Sequence, residues 1–244
     1  MLYLIESKDW EVEREILKPL IESTWRFRLG LDELVYIEKE RVCHFGADSL
    51  PIGSLWFVKA WLEYFHHADI PRIEIPAVLR ELEYLGRDYR IVKGTEVPKE
   101  GNYWIKDLKD IKSWVYWGNI DRIQSKVKAD NFYALSNIID IKAEWRVYVC
   151  RGKIINIACY DGNAALFPDI NIIQEMVFKT SIDTNMESFT LDVGVTGMCT
   201  TVIIEVHPFV SVGLYSTLWD DNLLTAYKDG IAYCIENKDI EEGI

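Results

Sequence analysis

Apolar and polar positions in this chain change period several times, and each change marks an element. Leu2–Ile5 is a continuous apolar run of strand length. Trp10–Lys18 carries helical spacing, and Pro19 is expected to end or kink that helix because proline lacks the amide donor. Leu34–Glu38 and Val42–Phe45 read as short strands. Beyond Ser54, an expected N-cap, Leu55, Val58, Trp61, Leu62 and Phe65 fall on one helical face. Pro76 suits the first turn of a further helix, with Val78, Leu79, Leu82 and Leu85 inward and Gly86 as its C-terminal cap. This mixture of helices and strands predicts a small α/β domain over residues 1–90.

The pattern then turns strand-rich. Tyr103–Lys106 is a strand, and Trp145–Cys150 and Lys153–Cys159 flank Arg151-Gly152, a tight hairpin turn. Asn171–Lys179 fits a strand or a short helix. Ser188–Val195 and Thr200–Pro208 are β-branched and aromatic runs, each with one carboxylate, Asp192 and Glu205. A buried carboxylate is costly unless paired, hydrogen-bonded or bound to a metal. If Thr196–Cys199 closes a hairpin with Val195 facing Thr200, Asp192 lies opposite Ile203, and Glu205 follows on the same face. Such diagonal neighbours sit about 7–8 Å apart at Cβ, close enough to share a divalent cation. A slip of one residue would separate their faces. Asp221–Asn237 closes the chain as a helix with Leu223, Leu224, Tyr227 and Ile231 inward. Successive hairpins edged by helices predict an α+β body over residues 91–244.

Composition narrows the function classes. Of 244 residues, 49% are hydrophobic and 27% charged, as in ordinary globular proteins. Against 27 basic residues stand 39 acidic ones, a net charge of −12 that disfavours nucleic-acid backbones as partners. The five cysteines are scattered and lack CxxC spacing, and three lie in strand-like apolar runs, which suggests buried thiols in a reducing compartment. With no basic, long-apolar leader and no bilayer-length apolar run, a cytoplasmic protein without a membrane partner is expected.

Several segments could carry chemistry. Lys106, Lys109 and Lys112 lie beside Trp104 and Trp114; they suit phosphate oxygens or form a solvated charged loop. Glu144, Arg146 and Tyr148 alternate onto one strand face, opposite Trp145, Val147 and Val149. Arg146 either pairs with Glu144 or presents its planar fork to phosphates. Asp192 and Glu205 suit Mg²⁺ or are polar-face residues. Gly53-Ser54 either binds an anion or is a plain cap. His66 and His67 are adjacent on a helix and do not face one side together. GxGxxG, Walker-A and GxSxG patterns are absent from the sequence.

In order, Lys106, Lys112, Glu144-Trp145-Arg146, Asp192-Val-Gly-Val195 and Glu205-Val-His-Pro-Phe209 resemble the ATP-grasp superfamily. Within it they are most similar to the clade named for one arginine and two lysines. The similarity takes in Pro51–Val58, Gly213-Leu-Tyr215 and Ala226–Ile231. The resemblance implies two α+β lobes gripping ATP, preceded by an α/β domain. It puts the nucleotide on Lys106, Lys112 (or Lys109), Glu144 and Arg146, with Ile138, Ile139 and Asp140 in the hinge against adenine. Arg146 and Lys112 would serve the reaction, and Asp192, Glu205 and the residue at 207 would hold Mg²⁺. The family usually has Asn at that last position; here it is His207, a poorer Mg²⁺ ligand than an oxygen donor. The implied function is a carboxylate–amine or carboxylate–thiol ligase working through an acylphosphate, on small-molecule or peptide substrates. A non-ligating ATP-binding assembly factor of the cell-division-cycle type, acting on a protein client, and a non-nucleotide interaction domain are the alternatives. The segments Cys43–Gly53 and Tyr160–Phe167 are candidates for the acceptor pocket.

Overall fold

The computed structural model of the chain describes residues 1–8, 12–109, 113–215 and 221–238. It opens on β1 (Leu2–Glu6), followed by α1 (Val12–Ser23), α2 (Trp25–Arg28), β2 (Glu33–Ile37), β3 (Leu50–Ile52) and α3 (Leu55–His66). β1 lies between β2 and β3 and pairs in parallel with both. Tyr3, Leu4 and Ile5 are buried, as a parallel strand covered on both faces requires.

Three local expectations are corrected. Of the two outcomes expected at Pro19, an end or a kink, the end does not occur: α1 continues to Ser23. Buried Leu17, Leu20 and Ile21 on either side of the proline hold the helix against the core through the lost hydrogen bond. Val42–Phe45 is not a strand: Lys39–His44 forms a 3₁₀ helix. Val42 and Phe45 are one 3₁₀ turn apart, and the Phe45 N–H donates to the Val42 carbonyl at 3.2 Å. The helix expected from Pro76 is broken into a 3₁₀ turn at Ala77–Leu79 and a single turn, α4 (Leu82–Leu85). Arg80 folds back to donate to the Ile75 carbonyl at 2.7 Å, which interrupts the helical face. Leu79 and Leu85 are buried as expected, but Val78 and Leu82 are exposed and Tyr84 points inward. Gly86 closes α4 at a φ of 60°, the left-handed conformation that glycine adopts without strain.

Two antiparallel sheets follow. β4 (Tyr89–Lys93), β5 (Asn102–Asp107), β6 (Val115–Asn119) and β7 (Phe132–Ser136) form one, in the order β4-β7-β5-β6. The other contains β8 (Ile141–Cys150), β9 (Lys153–Gly162), β10 (Ser188–Thr196) and β11 (Thr201–Pro208), in the order β11-β10-β8-β9. Arg151 and Gly152 both have positive φ, 50° and 73°, as the tight hairpin between β8 and β9 requires. The undecided segment is helical: α5 (Ile170–Thr184) is capped by Asp169, whose side chain accepts from the Asn171 N–H at 2.8 Å. α6 (Asp221–Glu236) is the last described element, with Leu223, Leu224, Tyr227 and Ile231 buried. The whole is an α+β fold.

β8 divides its side chains between two layers. Trp145, Val147 and Val149 pack with Leu191, Val193 and the α5 residues Ile173, Met176 and Val177. On the opposite face Tyr148 joins Phe209, Tyr227, Ile5 and Phe57 in a core shared with the parallel sheet. Among the described residues no helix is long and apolar enough to cross a membrane.

Candidate functional site

The site is assembled by strand register. Arg146 on β8 is directly opposite Asp192 on β10, and Asp192 is directly opposite Glu205 on β11. Three neighbouring strands thus present their charged residues side by side on one face. The expected pairing of Asp192 with Ile203 is corrected by a bulge. Val193 pairs with Ile203, Asp192 pairs with Glu205, and Ile204 is the extra residue. The bulge resets the alternation, so Ile203 enters the core while Glu205 joins Asp192. The carboxylates end up closer in register than the regular hairpin would place them.

Each carboxylate has a basic partner. Arg146 donates to both oxygens of Asp192, from Nε and from one terminal nitrogen, at 2.7 Å each. This is the bidentate fork that arginine makes best. Lys106, on β5 of the facing sheet, donates to Glu205 Oε1 at 2.6 Å, and His207 Nε2 lies 2.8 Å from Glu205 Oε2. Burial alone would raise the Glu205 carboxyl, but the His207 hydrogen bond and the Lys106 charge hold it well below the usual carboxylate range. Burial works against the Arg146 charge as well, yet Asp192 raises that guanidinium above its ordinary value.

Aromatic rings fix the arginine from the side. The Tyr160 and Tyr215 rings stack at 5.5 Å, and the Arg146 guanidinium carbon lies 5.4 Å and 5.2 Å from their centroids. Tyr160 donates to Glu144 Oε2 at 2.7 Å. Burial raises the Glu144 carboxyl, and the nearby acidic groups Asp161, Asp192 and Glu205 add to this against the Tyr160 bond. Tyr148 donates to the Gly213 carbonyl and accepts from the Tyr215 N–H, both at 2.8 Å. It thereby ties the segment after β11 to the strand that carries Arg146.

Two clefts meet here. One, of about 560 Å³, runs between the two antiparallel sheets and is lined by Arg87, Trp104, Trp117, Ile138, Ile139 and Ile204 beside the charged row. The other, of about 620 Å³, lies toward the parallel sheet and takes in Lys8, Glu13, Trp56, Lys106, His207 and Gly213. Val115, Arg146 and Glu205 line both. Both volumes fall within the range of about 300–1,000 Å³ usual for ligand pockets.

The structure therefore brings together Lys106, Glu144, Arg146, Asp192, Glu205 and His207, with Ile138 and Ile139 in the wall of the first cleft. Asp140 is set apart: it pairs with Lys142 at 2.8 Å and its carbonyl accepts from the Gly197 N–H. Lys109 is exposed, and Lys112 lies outside the described residues. At Gly53-Ser54 the Ser54 N–H and hydroxyl donate to Glu6 at 2.6 Å and 3.0 Å, so the anion these two donors hold is the chain's own carboxylate. Sequence reasoning missed Arg87, whose buried side chain donates to the Ile203 carbonyl at 2.9 Å beside the bulge. It also missed Glu13, Lys8 and the Tyr160–Tyr215 stack, which no local pattern announces.

Asp192, Glu205 and His207 each offer a ligand atom, all within 4.8 Å of one another. Among the described residues theirs is the one such cluster of histidine, cysteine and acidic donors. Two carboxylates and an imidazole fit a divalent cation whose remaining positions are filled by phosphate oxygens or water.

Two lobes of antiparallel sheet with charged residues gathered between them are the architecture of an ATP-grasp protein. Over residues 84–223 the sequence matches the ATP-grasp domain of family 2 in the clade named for one arginine and two lysines, and the chain belongs to that family. No curated protein sequence matches it. The fold is similar to D-alanine–D-alanine ligase from Bacillus anthracis complexed with ATP, at a TM-score of 0.51 and 13% identity, over 98% of this chain and 96% of that one. It is also similar to N5-carboxyaminoimidazole synthetase from Staphylococcus aureus complexed with ADP (TM-score 0.53, 12% identity, 85% of this chain and 69% of that one). A third similar structure is macrocyclase MdnC from Microcystis aeruginosa bound with precursor peptide MdnA (TM-score 0.50, 12% identity, 97% and 100% of the two chains).

Proposed function

We propose that the protein is an ATP-dependent ligase that joins a carboxylate to an amine or thiol through an acylphosphate. The observation that carries this reading is the meeting of two clefts at Arg146 and Glu205. A nucleotide in the first cleft and a carboxylate in the second would meet at those residues. In this reading residues 91–244 hold the nucleotide, with adenine against Ile138 and Ile139, while residues 1–90 frame the acceptor.

The chemistry asked of the protein is positioning and charge. A carboxylate oxygen attacks the γ-phosphorus, the bond to the bridging oxygen breaks, and ADP leaves. The amine or thiol then attacks the acyl carbon, phosphate departs and the nucleophile gives up its proton. Lys106 and Arg146 supply positive charge beside the transferring group and need no reorganisation, because Glu205 and Asp192 already hold them. Asp192, Glu205 and His207 would hold the cation, which when bound offsets charge on the phosphates.

The test is phosphate release from ATP in a screen of amino acids and peptides. Turnover that needs both a carboxylate and a nucleophile supports the ligase. The second reading, an ATP-binding assembly factor without a ligated product, is favoured by His207 at the usual Asn position. ATP binding with no turnover across the screen would select it. Calorimetric titration of ATP with and without Mg²⁺, on wild type and Glu205→Ala, checks the cleft itself; unchanged binding by the variant would refute it.

A further inference from the structure

We propose that the cleft prefers a manganese-type divalent cation to magnesium, and that His207 sets this preference. The inference rests on the reading above, that the cleft holds a metal–nucleotide complex, and concerns which metal accompanies the nucleotide.

Geometry puts His207 among the ligands. It stands two residues after Glu205 on β11, past the bulge, so both side chains share a face with Asp192. The ring nitrogen Nε2 points into the carboxylate pair, 2.8 Å from Glu205 Oε2. A ring nitrogen of His207 lies within 4.8 Å of donor atoms of Asp192 and Glu205, where a cation held between the two carboxylates would meet it. Histidine here occupies a place on a rigid paired strand and leaves only a small part of its side chain exposed.

Chemistry then discriminates between metals. Mg²⁺ is small and hard, asks for oxygen in near-octahedral array and gives up water reluctantly. An imidazole nitrogen offers it little; Mn²⁺ shares the preference of Mg²⁺ for carboxylate and water but, as a first-row transition ion, also gains from a nitrogen donor, if least of that row. Two carboxylates with phosphate oxygens keep the set harder than the thiolate and imidazole sites that suit zinc.

Charge points the same way. Arg146 neutralises Asp192 and Lys106 neutralises Glu205, so these four charged side chains sum to zero. A cation bound mainly by electrostatic attraction gains little from such a row until a nucleotide brings its phosphates. A cation that also forms a bond to nitrogen keeps that gain. Metal binding is therefore expected to need the nucleotide, and the nitrogen to decide between ions of equal charge.

The test uses the full chain and a non-hydrolysable ATP analogue, titrated calorimetrically with MnCl₂ or MgCl₂, for wild type and His207→Asn. Electron spin-echo spectroscopy of the bound Mn²⁺ supplies a second, independent readout. Wild type is expected to bind the manganese complex at least about tenfold tighter than the magnesium complex, on the scale of losing even an outer partner of a metal ligand. His207→Asn is expected to lose that preference. The wild-type echo should carry coupling to a directly bonded imidazole nitrogen. Equal affinity for the two complexes, or tight manganese binding without nitrogen coupling, overturns the inference and leaves the ligase reading standing. Failure to bind the analogue with either metal overturns both. The echo is read on wild type alone, so the outcome does not depend on the variant folding well.

Discussion

Arg146 and Asp192 face each other across β8 and β10 and are joined by two hydrogen bonds of 2.7 Å, but they are not equally sheltered. Asp192 is nearly inaccessible, whereas Arg146 borders both clefts. Removing the arginine strands a buried carboxylate next to Glu205; removing the aspartate leaves a cation that is somewhat less buried and opens on both clefts. Breaking one partner of a buried pair costs about 3–5 kcal/mol, and Arg146→Met is expected near that range, with Asp192→Leu below it. The double variant is expected to be more stable than Arg146→Met alone. Urea unfolding of all three checks the order; equal losses for the two single variants would contradict it.

Tyr148 links the site to the segment that follows β11, because its hydroxyl serves the Gly213 carbonyl and the Tyr215 amide together. Gly213 in turn donates to Glu13 on α1 at 2.9 Å. Tyr148→Phe deletes both bonds to the hydroxyl and leaves two backbone groups without it, at a cost of about 1–3 kcal/mol. Faster amide exchange at Tyr215 is the expected signature. On the proposed function, KM for the acceptor should rise while nucleotide affinity changes little, since Gly213 lines the second cleft and not the first.

What the sequence made legible followed from period and spacing. The alternation in Glu144–Val149 separated a core face from a charged face, and the positive-φ turn at Arg151-Gly152 was readable from its glycine. Asp192 and Glu205 were placed on one face correctly, yet through the wrong register. A bulge at Ile204 depends on how a third strand and the core seat Ile203, which no window along β11 contains. Arg87, Glu13 and the Tyr160–Tyr215 stack were hidden for a related reason. Their partners are distant in sequence, so only packing brings them to the clefts. Val42–Phe45 failed differently: apolar residues three apart suit a 3₁₀ turn as well as a short strand, and Val42 alone needed burial.

The cysteines differ in exposure and therefore in reactivity. Cys43 and Cys199 are exposed, while Cys150 and Cys234 are buried. Burial, helped by the Asp69 charge, pushes the Cys234 thiol up from 9.0 to about 12. Since the thiolate is the reactive form, maleimide at neutral pH should label Cys43 and Cys199 first and reach Cys234 only on unfolding. The raised value also has a pH consequence. Cys234 favours the folded state fully below pH 9, and this contribution is lost as pH rises through 9 toward 12. Cys234→Ala should be less stable at neutral pH but lose less between neutral pH and mild alkali. Parallel urea curves at the two pH values check the slope.

Glu6 ends the first strand with its side chain spent on the start of α3. Its two oxygens accept from the Ser54 N–H and hydroxyl, replacing the usual arrangement in which the cap residue's own side chain turns back on its helix. A carboxylate at this position satisfies an amide that the helix cannot and also faces the positive end of the helix dipole. Losing such a cap costs about 0.5–2 kcal/mol, and Glu6→Ala is expected at the upper end because the residue is buried. Glu6→Gln should recover only part of this, since one of its two terminal atoms is a donor facing donors. Gly53 has a matching constraint: a Cβ there would lie 2.5 Å from Glu6 Cβ and 2.8 Å from Oε2. Gly53→Ala is therefore expected to displace the carboxylate and to cost about 1–3 kcal/mol, the range for overpacking a tight site. Thermal unfolding of the three variants decides; if Glu6→Ala and wild type melt together, the strand-to-helix cap has no energetic role.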